Sequence, residues 1–231
     1  FNDAGKRNIN WQGFTLDNWK NPCGAPDICV ALGNSLKIGF LSTLVATILG
    51  TMIAFALGRY KFRGRSATNL LIFLPMATPE IVMGASLLAM FVNMNVNTGF
   101  WTTVIAHIMF CISFVVVTVK ARVASLDPKL EEAARDLYAN EFETFRRVTF
   151  PLSMPGVVAG TLLTFIPAAG DYVNAQILGN PTTKMIGNVI DSRFFRIVDY
   201  PTAAALSFTL MAAILILITV YIRRAGTDEL V

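Results

Sequence analysis

The chain has 231 residues, of which 54% are hydrophobic and only 15% charged, with a net charge of +4 at pH 7. Soluble domains of this size carry more charge, so an ordinary soluble globular fold is excluded, and the basic residues cluster beside apolar runs rather than in one nucleic-acid-binding patch. One histidine, and three cysteines without zinc-site spacing, give no basis for a metal centre.

Taken in order, residues 1–28 are polar, with Trp11, Phe14 and Trp19 interspersed. Aromatics of this kind suit a membrane interface. Cys23 and Cys29 flank a short loop containing Gly and Pro. They fit a disulfide if that loop faces an oxidising compartment, and two thiols equally well. Five apolar runs follow: roughly Leu36 to Leu57, Asn69 to Val92 (broken by Pro75 and Pro79), Phe100 to Val119, Pro155 to Ala169, and Thr202 to Ile222. The first holds about 20 residues, enough to span a bilayer. The expected fold is therefore all-α: a polytopic helical membrane protein. Met76, Met83 and Met90 recur every seven residues and read as a packing stripe.

Between the third and fourth runs lies the most charged stretch, Leu126 to Pro155. It reads as two short helices with a turn. Asp127 can cap the first, and Pro128 suits its first helical position. Leu130, Ala133, Ala134 and Leu137 recur on one face, with Glu131 and Glu132 in the first turn. Asn140 and Glu143 form a capping box for the second helix, whose apolar face is Phe142, Phe145 and Val148. Pro151 is expected to close it. A helical hairpin packed on its own bundle would show the same pattern. Between the last two runs, residues 170–201 contain Gly and Pro and do not form a single helix. Residues 186–197 fit either a short amphipathic helix or a loop.

Nothing in the sequence supports covalent or acid–base chemistry, and the phosphate-loop pattern GxxxxGK[ST] does not occur. Two acids stand out by position. Glu80 lies in the middle of the second run, where an uncompensated charge costs several kcal/mol. Asp171 lies at the outer end of the fourth run, followed by Tyr172, Asn174 and Gln176, which can add hydrogen bonds. Each acid also admits a structural reading, as a buried paired Glu and as a helix-end Asp. Spans with acids and no interior Lys or Arg suit a cationic substrate. His107, alone among apolar and aromatic neighbours, reads as a satisfied core residue.

Basic residues set the orientation. With the N-terminal segment outside, the inner side holds Arg59, Lys61, Arg63, Arg65, Lys120, Arg122, Lys129, Arg135, Arg146, Arg147, Arg223 and Arg224, which is twelve. The outer side holds six: Lys6, Arg7, Lys20, Lys184, Arg193 and Arg196. The charged stretch is then cytoplasmic, and so is the C-terminus.

Glu132-Ala133-Ala134, followed at an interval by Phe150-Pro151, resembles the EAA loop of ABC-importer permeases. The resemblance implies a type I importer permease whose coupling helix docks on an ATP-hydrolysing subunit through Glu132, Ala133, Ala134, Asp136, Leu137, Tyr138, Ala139 and Phe142. The family pattern has Gly where this chain has Tyr138. Gly serves a turn with φ > 0 at no steric cost. Either Asn140 takes over that conformation, or the first helix runs longer, or Tyr138 is itself strained. Trp11-Gln12-Gly13-Phe14-Thr15, the stretch Arg59 to Gly64, Pro79 to Met83, and Phe114 to Val119 are similar to the permeases of spermidine/putrescine importers. Residues 170–188 resemble the partner permease of such systems. The resemblance implies import of a polyamine by alternating access, with Glu80, Asp171, Tyr172 and Asn174 along the pathway. It implies a second permease subunit, two ATP-binding subunits that carry ATP and Mg, and an extracytoplasmic substrate-binding protein. No cofactor is expected on this chain, which is a transport subunit and not an enzyme. The expected location is the bacterial inner (plasma) membrane. The six spans usual in the family imply one helix before residue 1. The layout is a single permease domain: 1–35 external, 36–222 a bundle with the coupling loop at 126–151, and 223–231 a cytoplasmic tail. An importer for another small solute, and an ion-coupled secondary transporter, are the alternatives.

Overall fold

The computed structural model describes residues 1–3, 5–7, 9–20, 23 and 26–225. Its named elements are helices: α1 (Asp17–Lys20), α2 (Pro26–Arg59), α3 (Arg65–Ala77), α4 (Glu80–Asn93), α5 (Phe100–Ser125), α6 (Lys129–Asp136), α7 (Glu141–Gly170), α8 (Val173–Leu178), α9 (Ile186–Asp191, continued by a π-turn Ser192–Arg196) and α10 (Tyr200–Ala225). Four of them, α2, α5, α7 and α10, are long and apolar enough to cross a membrane, and α3 with α4 makes a fifth if the pair is one broken span. Helix α2 is 34 residues long. At the α-helical rise that is about 50 Å, more than a hydrocarbon core needs. The helix therefore starts ten residues before the apolar run, at Pro26.

The chain packs as two compact units. The first comprises Phe1–Ser42, Pro79–His107 and Ile166–Val220. Its core joins Ile28 and Ala31 of α2 to Ile186 and Val189 of α9 and Leu206 of α10. The Ile186 N–H donates to Ser35 Oγ at 2.9 Å, so the start of α9 finds a partner on α2. The last carbonyl of α8, at Leu178, accepts from the Gly99 N–H and from Thr102 Oγ1 at the start of α5. That satisfies a helix-end acceptor that would otherwise be orphaned. Near the N-terminus Phe1 stacks on Phe14 and on Trp19, and Trp19 meets Phe208 of α10. Cys23 and Cys29 are disulfide-bonded, with Cα atoms 5.3 Å apart.

The second unit comprises Thr43–Thr78, Ile108–Phe165 and the chain from Tyr221 onward. Its core is Ala54, Phe55 and Leu57 of α2 against Val115, Val116, Val119 and Val123 of α5 and Val157 of α7. Gly50 allows the close approach of α2 and α5: a Cβ there would sit 2.8 Å from the Val115 side chain. In lipid, where apolar burial gives little drive, such small-residue contacts carry helix packing.

The charged stretch departs from expectation at Pro151. The second helix does not close there. Helix α7 runs from Glu141 through Pro151 and Pro155 to Gly170, so the charged stretch is continuous with the fourth span. Inside an α-helix Pro151 would lose one hydrogen bond and crowd a carbonyl. Here residues Phe145–Thr149 form a π-turn, with the Phe150 N–H bonded to the Phe145 carbonyl five residues back. A π-turn just before the proline lets the helix carry it. The methionine stripe also fails, because the break at Thr78–Pro79 separates Met76 from Met83.

Candidate functional site

Within the first unit, Pro79 determines where Glu80 stands. A residue before proline is pushed to extended backbone, and Thr78 has φ −85° and ψ 133°. Helix α4 therefore begins afresh at Glu80. The carboxylate sits in the first turn, where the helix dipole favours it. Glu80 is thus not mid-helix but at the start of the second half of a broken element. Its Oε1 accepts from Asn174 Nδ2 of α8 at 2.6 Å. Gly84, one turn on, permits this approach, since a Cβ there would lie 3.1 Å from Asn174 Oδ1.

Asp171 follows the end of α7 and caps α8. Its Oδ1 accepts from the Val173 N–H at 2.9 Å and its Oδ2 from the Ala175 N–H at 3.2 Å. Asp171 Oδ2 is also 3.2 Å from His107 Nε2, and both side chains are under a tenth exposed. His107 Nδ1 lies 2.8 Å from the Thr103 carbonyl. A carbonyl only accepts, so Nδ1 carries a hydrogen. Both acids thus meet the start of α8, Glu80 through the Asn174 side chain and Asp171 through the Val173 and Ala175 N–H groups. Asn174 is 1% exposed, yet its Oδ1 has no hydrogen-bond partner. Two carboxyls and one unpaired amide oxygen therefore gather at the start of α8, a largely buried cluster of acceptors. Tyr172 is exposed at the edge, and its carbonyl accepts from Asn188 Nδ2.

Of the residues singled out from sequence, Glu80, Asp171 and Asn174 come together here. His107 does too: it is buried, as expected of a core residue, and its Nε2 also faces Asp171. Its sole sequence signal was being the only histidine, in an apolar run.

The exposed loop belongs to the second unit. Lys129 N–H bonds to Asp127 Oδ1, so Asp127 caps α6. Helix α6 ends in a Schellman arrangement. The Ala139 N–H bonds to the Ala134 carbonyl and the Tyr138 N–H to the Arg135 carbonyl. Tyr138 occupies the left-handed position, with φ +64°. Asn140 does not take it over: its φ is −72° and it forms the capping box with Glu143 at 2.9 and 3.1 Å. Leu137, Tyr138 and Phe142 are 82%, 97% and 70% exposed, an apolar group left uncovered among the described residues. Glu132, Ala133 and Asp136 are also exposed, whereas Ala134 and Ala139 are half-buried.

Residues 46–225 match the family described as "Binding-protein-dependent transport system inner membrane component". Among curated relatives, the "Spermidine/putrescine transport system permease protein PotC" of Escherichia coli (strain K12) is 38% identical over 178 residues, covering 77% of this chain and 67% of that protein. The corresponding PotB protein of Haemophilus influenzae is 30% identical over 228 residues, covering 91% of this chain and 79% of that protein. Among solved structures, a bacterial ABC transporter involved in import of the acidic polysaccharide alginate superposes with a TM-score of 0.75 at 16% identity, covering 96% of this chain and 86% of that one. An amino acid ABC transporter gives 0.70 at 19% identity, covering 91% and 100%.

Proposed function

The chain belongs to the family of binding-protein-dependent transport system inner membrane components, and from that premise we propose that it is one half of a pathway conducting polyamines into the cell. As a member it is a multi-pass permease subunit of the inner membrane and not itself an enzyme. The proposed cargo is spermidine or putrescine. The observation that carries this is the convergence of Glu80, Asp171 and the unpaired Asn174 Oδ1. Ammonium groups are donors only, and a cluster of acceptors complements them. Two backbone N–H groups already bond to the Asp171 carboxyl, which leaves it a weaker trap than a bare carboxylate. The site then attracts a cation without trapping it, as a conducting pathway requires.

The exposed Leu137, Tyr138 and Phe142 with Glu132 form the face offered to an ATP-binding subunit. Two such subunits hold ATP and Mg, a second permease completes the pathway, and an extracytoplasmic binding protein delivers cargo. The permease contributes shape, acceptor lining and coupling, and access alternates as the ATP-binding pair closes and opens. The N-terminal segment faces outward and the loop faces the cytoplasm, in keeping with the charge bias.

The test is uptake and ATP hydrolysis by the reconstituted complex with its binding protein, against spermidine, putrescine, amino acids and an acidic oligosaccharide. Polyamines should be taken up and should stimulate hydrolysis. Stimulation by another solute with none by polyamines would overturn the cargo.

A further inference from the structure

One part-buried contact in the second unit ties together three stretches far apart in sequence. Arg59 is the last residue of α2, Glu131 lies in the first turn of α6, and Thr149 lies in the π-turn of α7. A single oxygen, Glu131 Oε1, is 3.0 Å from Arg59 Nη2 and accepts from Thr149 Oγ1 at 2.9 Å. The Arg59 and Glu131 side chains are only 21% and 19% exposed. The charges suit their places: a cation at a helix C-terminus faces an anion at a helix N-terminus. Arg59 Nε and Nη2 are buried and make no well-directed hydrogen bond of their own. The guanidinium therefore depends on the Glu131 charge, and removing that charge leaves a buried cation uncompensated. On a second side, Phe55 of α2 packs edge-on against Phe145 of the π-turn, with centroids 5.1 Å apart.

We propose that Glu131 is a positioning residue: it latches the exposed helix α6 to α2 and α7, so that a push on α6 moves those two helices together. Glu132, its neighbour, is exposed and faces the partner, whereas Glu131 faces inward. The two glutamates thus divide docking from transmission. The inference rests on reading the loop as the ATPase-docking element.

The experiment has two readouts in the reconstituted complex. The first is polyamine taken up per ATP hydrolysed. The second is the distance distribution between spin labels at the exposed positions Lys61 and Arg135, without nucleotide. Glu131→Gln and Arg59→Met should each lower the uptake ratio by about tenfold or more, as expected for breaking a part-buried pair. The double variant should be no worse than the poorer single one, because both remove the same contact. Thr149→Val keeps the ion pair and should give a smaller fall. Each change should broaden the label distances. Unchanged distances in Glu131→Gln would overturn the latch whatever the cargo. Broadened distances with an unchanged ratio would instead leave the latch standing and sink the docking reading. If Glu131→Gln does not assemble, Thr149→Val decides, and wild-type values in both readouts overturn the proposal.

Discussion

Tyr138 holds a conformation that costs an L-residue about 1–2 kcal/mol, at a position 97% exposed, so no packing of its own ring offsets that cost. Tyr138→Gly should relieve the strain and stabilise the isolated permease by about 1 kcal/mol, less the chain entropy that glycine adds. The same change removes an aromatic from the exposed cluster, so association with the ATP-binding subunit should weaken. Thermal unfolding of the permease and pull-down of the ATPase check the two halves; a lower melting temperature would show that the strain assignment is wrong. The acids respond differently. Glu80→Gln should cut polyamine uptake by about tenfold while assembly holds, since Asn174 can still bond to an amide. Asp171→Asn keeps a good cap for α8 and should cost less, because two backbone N–H groups already bond to that carboxyl. Burial alone would have put Asp171 first, because its side chain is only 7% exposed. Proteoliposome uptake at matched complex content ranks them, and wild-type transport by Glu80→Gln would leave it a structural residue. Both acids could be singled out in the sequence by their place in, or at the end of, an apolar run, though a structural reading stayed open for each. The weight of Asn174 was not legible, because it comes from a partner 94 residues away. Tyr138 was legible as a problem, but only backbone geometry could say which residue absorbed it.

At the scale of elements, what is local was readable. The capping box at Asn140 and Glu143 and the cap at Asp127 depend on neighbours within three residues, and both form. Pro151 misled because proline's rule assumes an α-turn before it, and the π-turn Phe145–Thr149 removes that assumption without leaving a compositional mark. The break in the second run was visible in Pro79, whereas Pro75, expected to break it too, lies inside α3, and the restart of a helix with Glu80 in its first turn was not visible. Helix contacts follow small residues that a sequence shows without saying what they face. Gly50→Ala places a Cβ 2.8 Å from Val115. Overpacking of this kind costs about 1–3 kcal/mol, so the solubilised permease should melt at lower temperature, and Val115→Ala should restore part of the loss. If Gly50→Ala melts like wild type, α2 and α5 are not held by that contact.

For the molecule as a whole, the charge bias of twelve basic residues against six makes a statement about sidedness. Single cysteines at Lys61 and Lys184, in a background without native cysteines, should react oppositely with a membrane-impermeant thiol reagent added outside intact cells. Lys184 should label and Lys61 should not; the reverse would invert the topology. The π-turn in α7 has a different kind of consequence. It holds one residue more than the α-turn it replaces, so whatever precedes it is rotated by about 100° from where an unbroken helix would put it. Helix α7 carries the capped loop end at Asn140 before that turn and the core contact at Val157, in the same unit, after it. The phase between these two ends is set by a single residue. A one-residue deletion within 145–149 would therefore keep a continuous span and turn the loop-side face relative to it. Insertions and deletions at this point change how the two ends are aimed, which no substitution elsewhere along the helix achieves so directly.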